Sequence, residues 1–227
     1  MGRRGDGARR AAGAPAGVAP DAAALLGCAV STGYGVVTNV AEVRAGDTVV
    51  VFGVGGIGVA AIQTAAGPAA CIVAVDVDAA KDVARRFGAD AFVVPARIDD
   101  AATVAALITA EAGAPVDVTV ECSGAVVAIE TAIRVLGPGG RAALVGIPPR
   151  GTEVAFDVNA LFVDRRIVGS YNGNVEVAAQ LPEIVDHVRH GRLLVDEQAS
   201  HVWPLAEIHD ALAAVRAGSV VRAVLHH

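Results

Sequence analysis

Thr48-Val49-Val50-Val51-Phe52 is followed at once by Gly53-Val54-Gly55-Gly56-Ile57-Gly58, then by an apolar run from Val59 to Ala66, then by Cys71-Ile72-Val73-Ala74-Val75-Asp76. The first five residues are apolar or β-branched without alternation, which suits a strand buried on both faces in a parallel sheet. The glycines after it stand as G-x-G-x-x-G at Gly53, Gly55 and Gly58. In that order the first permits a tight turn, the second lets the backbone approach a pyrophosphate, and the third lets the helix pack close to the strand. The free N–H groups at the start of the helix, at Gly56 and Ile57, add the positive end of its dipole. The second strand closes on Asp76, about 20 residues past the glycines, where a carboxylate accepts the two hydroxyls of an adenosine ribose. Strand, turn, helix, strand and acid together predict dinucleotide binding. Two other readings fit part of the pattern. One is a plain glycine-rich turn with Asp76 capping the next helix; the other is a methyltransferase nucleotide pocket, which also ends its second strand in an acid.

The 227 residues carry a net charge of −6 and are 54 % hydrophobic. That is enough for one sizeable core, or one domain with an appendage. The acidic balance argues against nucleic acid or an anionic membrane as partner. No apolar run reads as long enough to span a bilayer. Cys28, Cys71 and Cys122 are odd in number and widely spaced, which predicts free thiols in a reducing, cytoplasmic setting.

Residues 1–20 are rich in Gly, Ala, Arg and Pro and lack periodicity, so a disordered tail is expected there. From Asp21 to Val43 a helix is expected, broken at Thr32-Gly33-Tyr34-Gly35. Beyond Asp76 strands and helices alternate. A helix capped by Asp78 closes at Gly88; a short strand spans Ala91 to Val94; Asp99 or Asp100 caps a helix carrying Val104, Leu107 and Ile108 on one face. Strands follow at Val116 to Glu121, Arg141 to Gly146 and Arg166 to Ser170, with a helix from Val126 to Leu136. This alternation predicts an α/β fold, a doubly wound parallel Rossmann sheet. The tail differs: an amphipathic helix around Pro182, a helix from Leu205 to Ala217, and a strand from Val220 to Leu225. It reads as a remnant of a second domain. The expected division is 21–172 for the dinucleotide-binding unit with its lead-in helix and 173–227 for the return.

These residues resemble the zinc-containing alcohol dehydrogenases of the medium-chain dehydrogenase/reductase family. The similarity lies in Leu25-Leu26-Gly27-Cys28-Ala29-Val30-Ser31-Thr32-Gly33-Tyr34-Gly35, in Gly46-Asp47-Thr48 leading into the glycine turn, and in Gly88-Ala89-Asp90. It continues through Glu121-Cys122-Ser123-Gly124, Gly137-Pro138-Gly139-Gly140, Val145-Gly146, Gly191-Arg192-Leu193 and Gly218 to Arg222. The resemblance implies hydride transfer between an alcohol or aldehyde and a nicotinamide cofactor. It also implies an N-terminal catalytic domain with no counterpart here, so the chain is expected to be the cofactor half of such an enzyme. The family's zinc ligands lie mostly in that domain; Cys28 matches one of them, and no histidine precedes His187. Zinc is expected for the family and doubtful for this chain, since catalytic zinc takes about three protein ligands.

The resemblance further implies that Thr32, Val145, Ser170 and Asn172 flank the nicotinamide, that Lys81 lies near the adenosine ribose, and that Arg222 contacts the pyrophosphate. His187 and His190 are expected on a solvated helix face. Asp76, with no arginine in Val77-Asp78-Ala79-Ala80, favours NAD over NADP, because a 2′-phosphate would meet a carboxylate. The family also implies a homodimer through an edge strand at about Val154 to Ser170. Two functional classes follow: a NAD-dependent alcohol dehydrogenase, or a catalytically inactive module that binds NAD(H) and self-associates.

Overall fold

The computed structural model describes residues 15–226 apart from Ile98 and Ser200, and of residues 79–82 the backbone alone. Six strands form one sheet: β1 (Thr48–Phe52), β2 (Cys71–Val75), β3 (Ala91–Val93), β4 (Val116–Glu121), β5 (Leu136–Leu144) and β6 (Arg166–Gly169). Their order is β3-β2-β1-β4-β5-β6, and every pairing is parallel. This is the doubly wound α/β sheet that the alternation predicts.

The absence of alternation in β1 has its reason in the packing. Val49 and Val51 enter one hydrophobic cluster, and Val50 and Phe52 enter the other. Side chains alternate across a strand, so both faces are covered. Helix α2 (Gly56–Ala65) covers the first face with Val59, Ile62 and Ala65. Helices α3 (Ala101–Ala112) and α4 (Val126–Arg134) cover the second, with Val104, Ile108, Ile129 and Ile133. The cap of α3 is Asp100, whose Oδ1 accepts the Thr103 N–H at 2.8 Å.

The lead-in segment corrects two expectations. Pro20–Val40 is one helix, α1, with π-type turns inside it, and Thr32-Gly33-Tyr34-Gly35 does not break it. The glycines serve close packing instead. A Cβ on Gly33 would lie 2.5 Å from the Ile57 carbonyl oxygen, and one on Gly35 would collide with the Gly173 carbonyl. The joined helix has 21 residues and a mean hydropathy of 1.3, so by length and composition it could cross a membrane, contrary to the reading of the separate pieces. About two thirds of its apolar window is buried within the fold, as a core helix would be.

Several smaller differences follow from tertiary context. Residues 1–14 lie outside the described residues. Residues 15–20, expected in the disordered tail, are placed: Val18 is buried and the Ala16 carbonyl accepts from the Arg189 guanidinium. The segment after Asp78 is a 3-10 helix, Ala79–Phe87, closed by Gly88 at φ +108°. Strand β5 begins early, at Leu136, because Leu136 pairs with Val116 ahead of a register shift.

The tail holds α5 (Val177–Arg189), α6 (Val195–Gln198), β7 (His201–Pro204), α7 (Ile208–Arg216) and β8 (Ala223–His226). β7 and β8 pair in parallel as a separate two-stranded sheet. Ile184, Val185, Leu193, Val195 and Val224 pack with Leu25, Leu26, Val30 and Tyr34 of α1 in a third cluster.

Candidate functional site

In an open parallel sheet ligands bind beyond the carboxyl ends of the strands, where the strand order reverses. Here that point lies between β1 and β4. The turn after β1 takes the shape its glycines permit. Gly53 has φ +86°, and its N–H reaches the Val75 carbonyl at 2.8 Å. A Cβ on Gly58 would collide with the Gly53 carbonyl, so helix and strand approach as only glycine allows. A Cβ on Gly55 would meet nothing within 4 Å. Gly55 is the extended residue before α2, and the open space lies at the helix start, where Gly56 and Ile57 open the first turn. Above Gly56 lies the Arg222 side chain, brought from 166 positions away by the return to β8: a Cβ on Gly56 would collide with its Nε.

Asp76 stands at the tip of β2. Its Oδ2 accepts the Val54 N–H at 2.8 Å and its Oδ1 accepts the Asp78 N–H at 3.1 Å. Each carboxylate oxygen has room for a second donor. Asp76 lines a cavity of about 350 Å³ with Phe52, Gly53, Val75, Val77, Pro95, Ala96, Arg97, Asp99, Ser123 and Ala125. That volume lies in the range of small-molecule sites. The sequence reading gives Arg97, Pro95 and Ser123 no place in the site. They come from the exits of β3 and β4, and the signal for them is the parallel strand order, which puts every carboxyl end on one side.

On the other half of the crevice, Thr32 and Asn172 meet although 140 positions apart: the Thr32 hydroxyl donates to Asn172 Oδ1 at 2.9 Å. Asn172 holds φ +55°, and Gly173 beside it packs under Thr32 and Val36. The Ser170 N–H reaches the Leu144 carbonyl at 2.9 Å, and the Val145 N–H reaches the Glu121 carbonyl at 2.9 Å. Val145 is buried and Ser170 half-buried. The side chain of Lys81 lies outside the described residues.

The zinc expectation meets a single candidate ligand. Cys28 is exposed, and among the described residues no group of three or more His, Cys, Asp or Glu side chains stands together. One thiol does not make a catalytic zinc site, so the residues present do not fit the metal. His187 and His190 are engaged elsewhere. His187 Nδ1 accepts from Arg192 Nε at 2.8 Å, and its ring tilts against Tyr34 at 5.6 Å. Burial and the neighbouring Glu183 push the Tyr34 hydroxyl well above its ordinary pKa. Burial does the same to the Cys122 thiol, with the Glu121 charge adding to it.

Comparison with known proteins agrees with this geometry. The family model described as zinc-binding dehydrogenase matches residues 56–189, more than half of the chain. The chain belongs to that family. An S-(hydroxymethyl)glutathione dehydrogenase of Candida maltosa is 35 % identical over 208 residues, which is 90 % of this chain and 55 % of the relative. Among solved structures, an alcohol dehydrogenase zinc-binding domain protein from Burkholderia ambifaria superposes with TM-score 0.81 at 30 % identity, over 88 % of this chain and 54 % of that one. Benzyl alcohol dehydrogenase from Acinetobacter calcoaceticus gives TM-score 0.85 at 26 % identity, over 93 % and 58 %. The chain thus spans about half the length of the curated relatives it matches.

Proposed function

We propose that the crevice holds NAD(H) and that the chain is the cofactor-binding part of an oxidoreductase acting on an alcohol or aldehyde. The observation that carries this is the open space at Gly55, at the start of α2, two residues from Gly53, which lines the Asp76 cavity. In this proposal Gly53, Gly55, Gly56, Ile57 and Gly58 shape the pyrophosphate seat, with N–H groups and helix dipole facing the anion. Arg222 adds a guanidinium suited to phosphate. Asp76 accepts the adenosine ribose hydroxyls. Thr32, Val145, Ser170 and Asn172 border the nicotinamide, which when bound supplies the hydride acceptor. The chain's own share of the chemistry is therefore binding and orientation. Residues 21–172 form the binding unit and 173–227 the return that delivers Arg222.

Titration of the purified chain with NADH, NADPH and S-adenosylmethionine tests the proposal. NADH should bind, and S-adenosylmethionine should not; the reverse would make the pocket a methyltransferase's. Arg97 favours a second reading for the cofactor. It lines the Asp76 cavity from the β3 exit, so a 2′-phosphate would meet a cation there as well as the carboxylate. NADPH binding as tight as NADH would establish that reading over NAD preference.

We also propose a homodimer through β6. Phe162 is 82 % exposed and Val168 37 %, beside a strand at the end of the sheet order. Such an edge is a template for pairing, and a two-fold contact is the commonest closed solution. Light scattering should give a dimer that Phe162→Glu weakens; a monomer from the unsubstituted chain would refute it. A cytoplasmic setting belongs to the same proposal, supported by the three free cysteines.

A further inference from the structure

Glu121 is the one carboxylate among the described buried residues, with no solvent exposure at all. Its Oε1 accepts three hydrogen bonds, from the Ser123 N–H at 2.7 Å, the Ser123 hydroxyl at 2.5 Å and the Gly124 N–H at 2.9 Å. Its Oε2 is buried without a hydrogen-bond partner and lies 2.6 Å from where a Cβ on Gly146 would sit. The backbone carbonyl of the same residue accepts the N–H groups of Val145 and Gly146, both at 2.9 Å. The side chain thus holds the exit of β4, and the main chain holds the exit of β5.

The two exits also lock into each other. Gly124 has φ +73°, and a Cβ there would lie 3.0 Å from the Ile147 carbonyl carbon. A Cβ on Gly146 would collide with the Gly124 nitrogen. On the other side, a Cβ on Gly53 would lie 3.2 Å from Ser123. The loops after β4 and β5 therefore meet at one carboxylate, and the loop after β1 packs on Ser123, which bonds it. Burying a carboxylate is costly, and a fold that keeps one at a ligand crevice gains acceptor strength there: charge-assisted bonds are about twice as strong as neutral ones.

We infer that Glu121 is the positioning residue for the nicotinamide half of the dinucleotide: its carboxylate fixes the Ser123–Gly124 turn, against which Gly146 and Ile147 pack. The inference rests on the NAD(H) reading above. Each half of a doubly wound sheet takes one mononucleotide. Ser123 also borders the Asp76 cavity, but Val145, Gly146 and Ile147, at the exit of β5, lie in the half away from Asp76.

The test is Glu121→Gln, an isostere, titrated with NADH and with ADP-ribose, which lacks the nicotinamide. NADH affinity should fall about tenfold, because the glutamine Oε1 can still accept from Ser123 and Gly124 but the three bonds lose their charge assistance. ADP-ribose affinity should stay within about twofold, because the Asp76 half keeps its contacts. Equal losses for both ligands would mean general loosening of the fold and would overturn the inference, as would no loss for either. If E121Q does not fold, Glu121→Asp keeps the charge but shortens its reach to the Ser123–Gly124 turn. It should weaken NADH about threefold more than ADP-ribose, by the worth of a single hydrogen bond, and an even loss would again overturn the inference. If the unsubstituted chain binds neither ligand, it is the NAD(H) reading that fails.

Discussion

Two carboxylates stand at the tips of parallel strands, Asp76 beyond β2 and Glu121 at the end of β4, on either side of β1 in the sheet. Both accept backbone N–H groups from the turn that follows their own strand. They differ in what else surrounds them. Asp76 borders a cavity of about 350 Å³ and reaches across to Val54 in the glycine turn. Glu121 is sealed by Gly146, Gly124 and Ser123. The same functional group at the same kind of position borders an open cavity where the neighbouring loop stays clear, and becomes an internal fastening where two loops close over it. Burial decides the outcome, and its effect on the acid is direct. Desolvation pushes the Glu121 carboxyl above its ordinary pKa, against the opposing pull of its bonds from Ser123 and Gly124.

The contrast can be broken in three ways. The largest effect belongs to the open acid. On the NAD(H) proposal Asp76→Ala removes two charge-assisted bonds to the ribose, and it should weaken NADH about a hundredfold, each such bond being worth roughly tenfold or more. NADPH should lose far less, and fluorescence titration of both cofactors on both proteins reads the difference. The sealed acid gives a smaller effect with a definite sign. A raised folded-state value means that ionisation is penalised in the fold, so the parent loses stability as pH climbs above the ordinary 4.5 through the raised value. Glu121→Gln has no such loss. The melting temperature of the variant relative to the parent should therefore rise between pH 4.5 and pH 8; a difference that is flat with pH would show that the carboxyl does not titrate. The smallest effect is at Arg97, which faces the open acid's cavity. Arg97→Ala should raise the preference for NADH over NADPH only about threefold, since an exposed cation is screened by solvent, measured as a ratio of dissociation constants.

Much of the fold was legible because its signals are local. The unbroken apolar run of β1, the three glycines and Asp76 all lie within one βαβ unit, and each carries its own steric reason. Asp100 and Gly113 mark α3 in the same way, as an N-cap and a left-handed C-cap. The glycines of α1 misled because Gly33 and Gly35 read equally as a turn or as room for a neighbour, and only the approach of Ile57 and Gly173 decides between them. The candidate site divides along the same line. Its glycine turn was readable from sequence, and Thr32 with Asn172 through resemblance. Arg97 and Glu121 were not singled out. Their roles depend on loops from different strands meeting, and no periodicity records that Gly124 and Gly146 face one carboxylate.

The parallel pairing of β7 with β8 bears on time rather than on shape. A sheet of two strands is marginal by itself. This one has both outer edges unpaired within its sheet and buries Val224 while leaving His201, Val202 and Pro204 exposed. Its amide hydrogens should exchange with solvent sooner than those of β1 and β4, whose central residues are wholly buried. Arg222 sits one position before β8. The guanidinium over Gly56 is thus borne by a strand expected to open sooner than β1 and β4, and the residence time of a bound phosphate would follow the opening rate of β8.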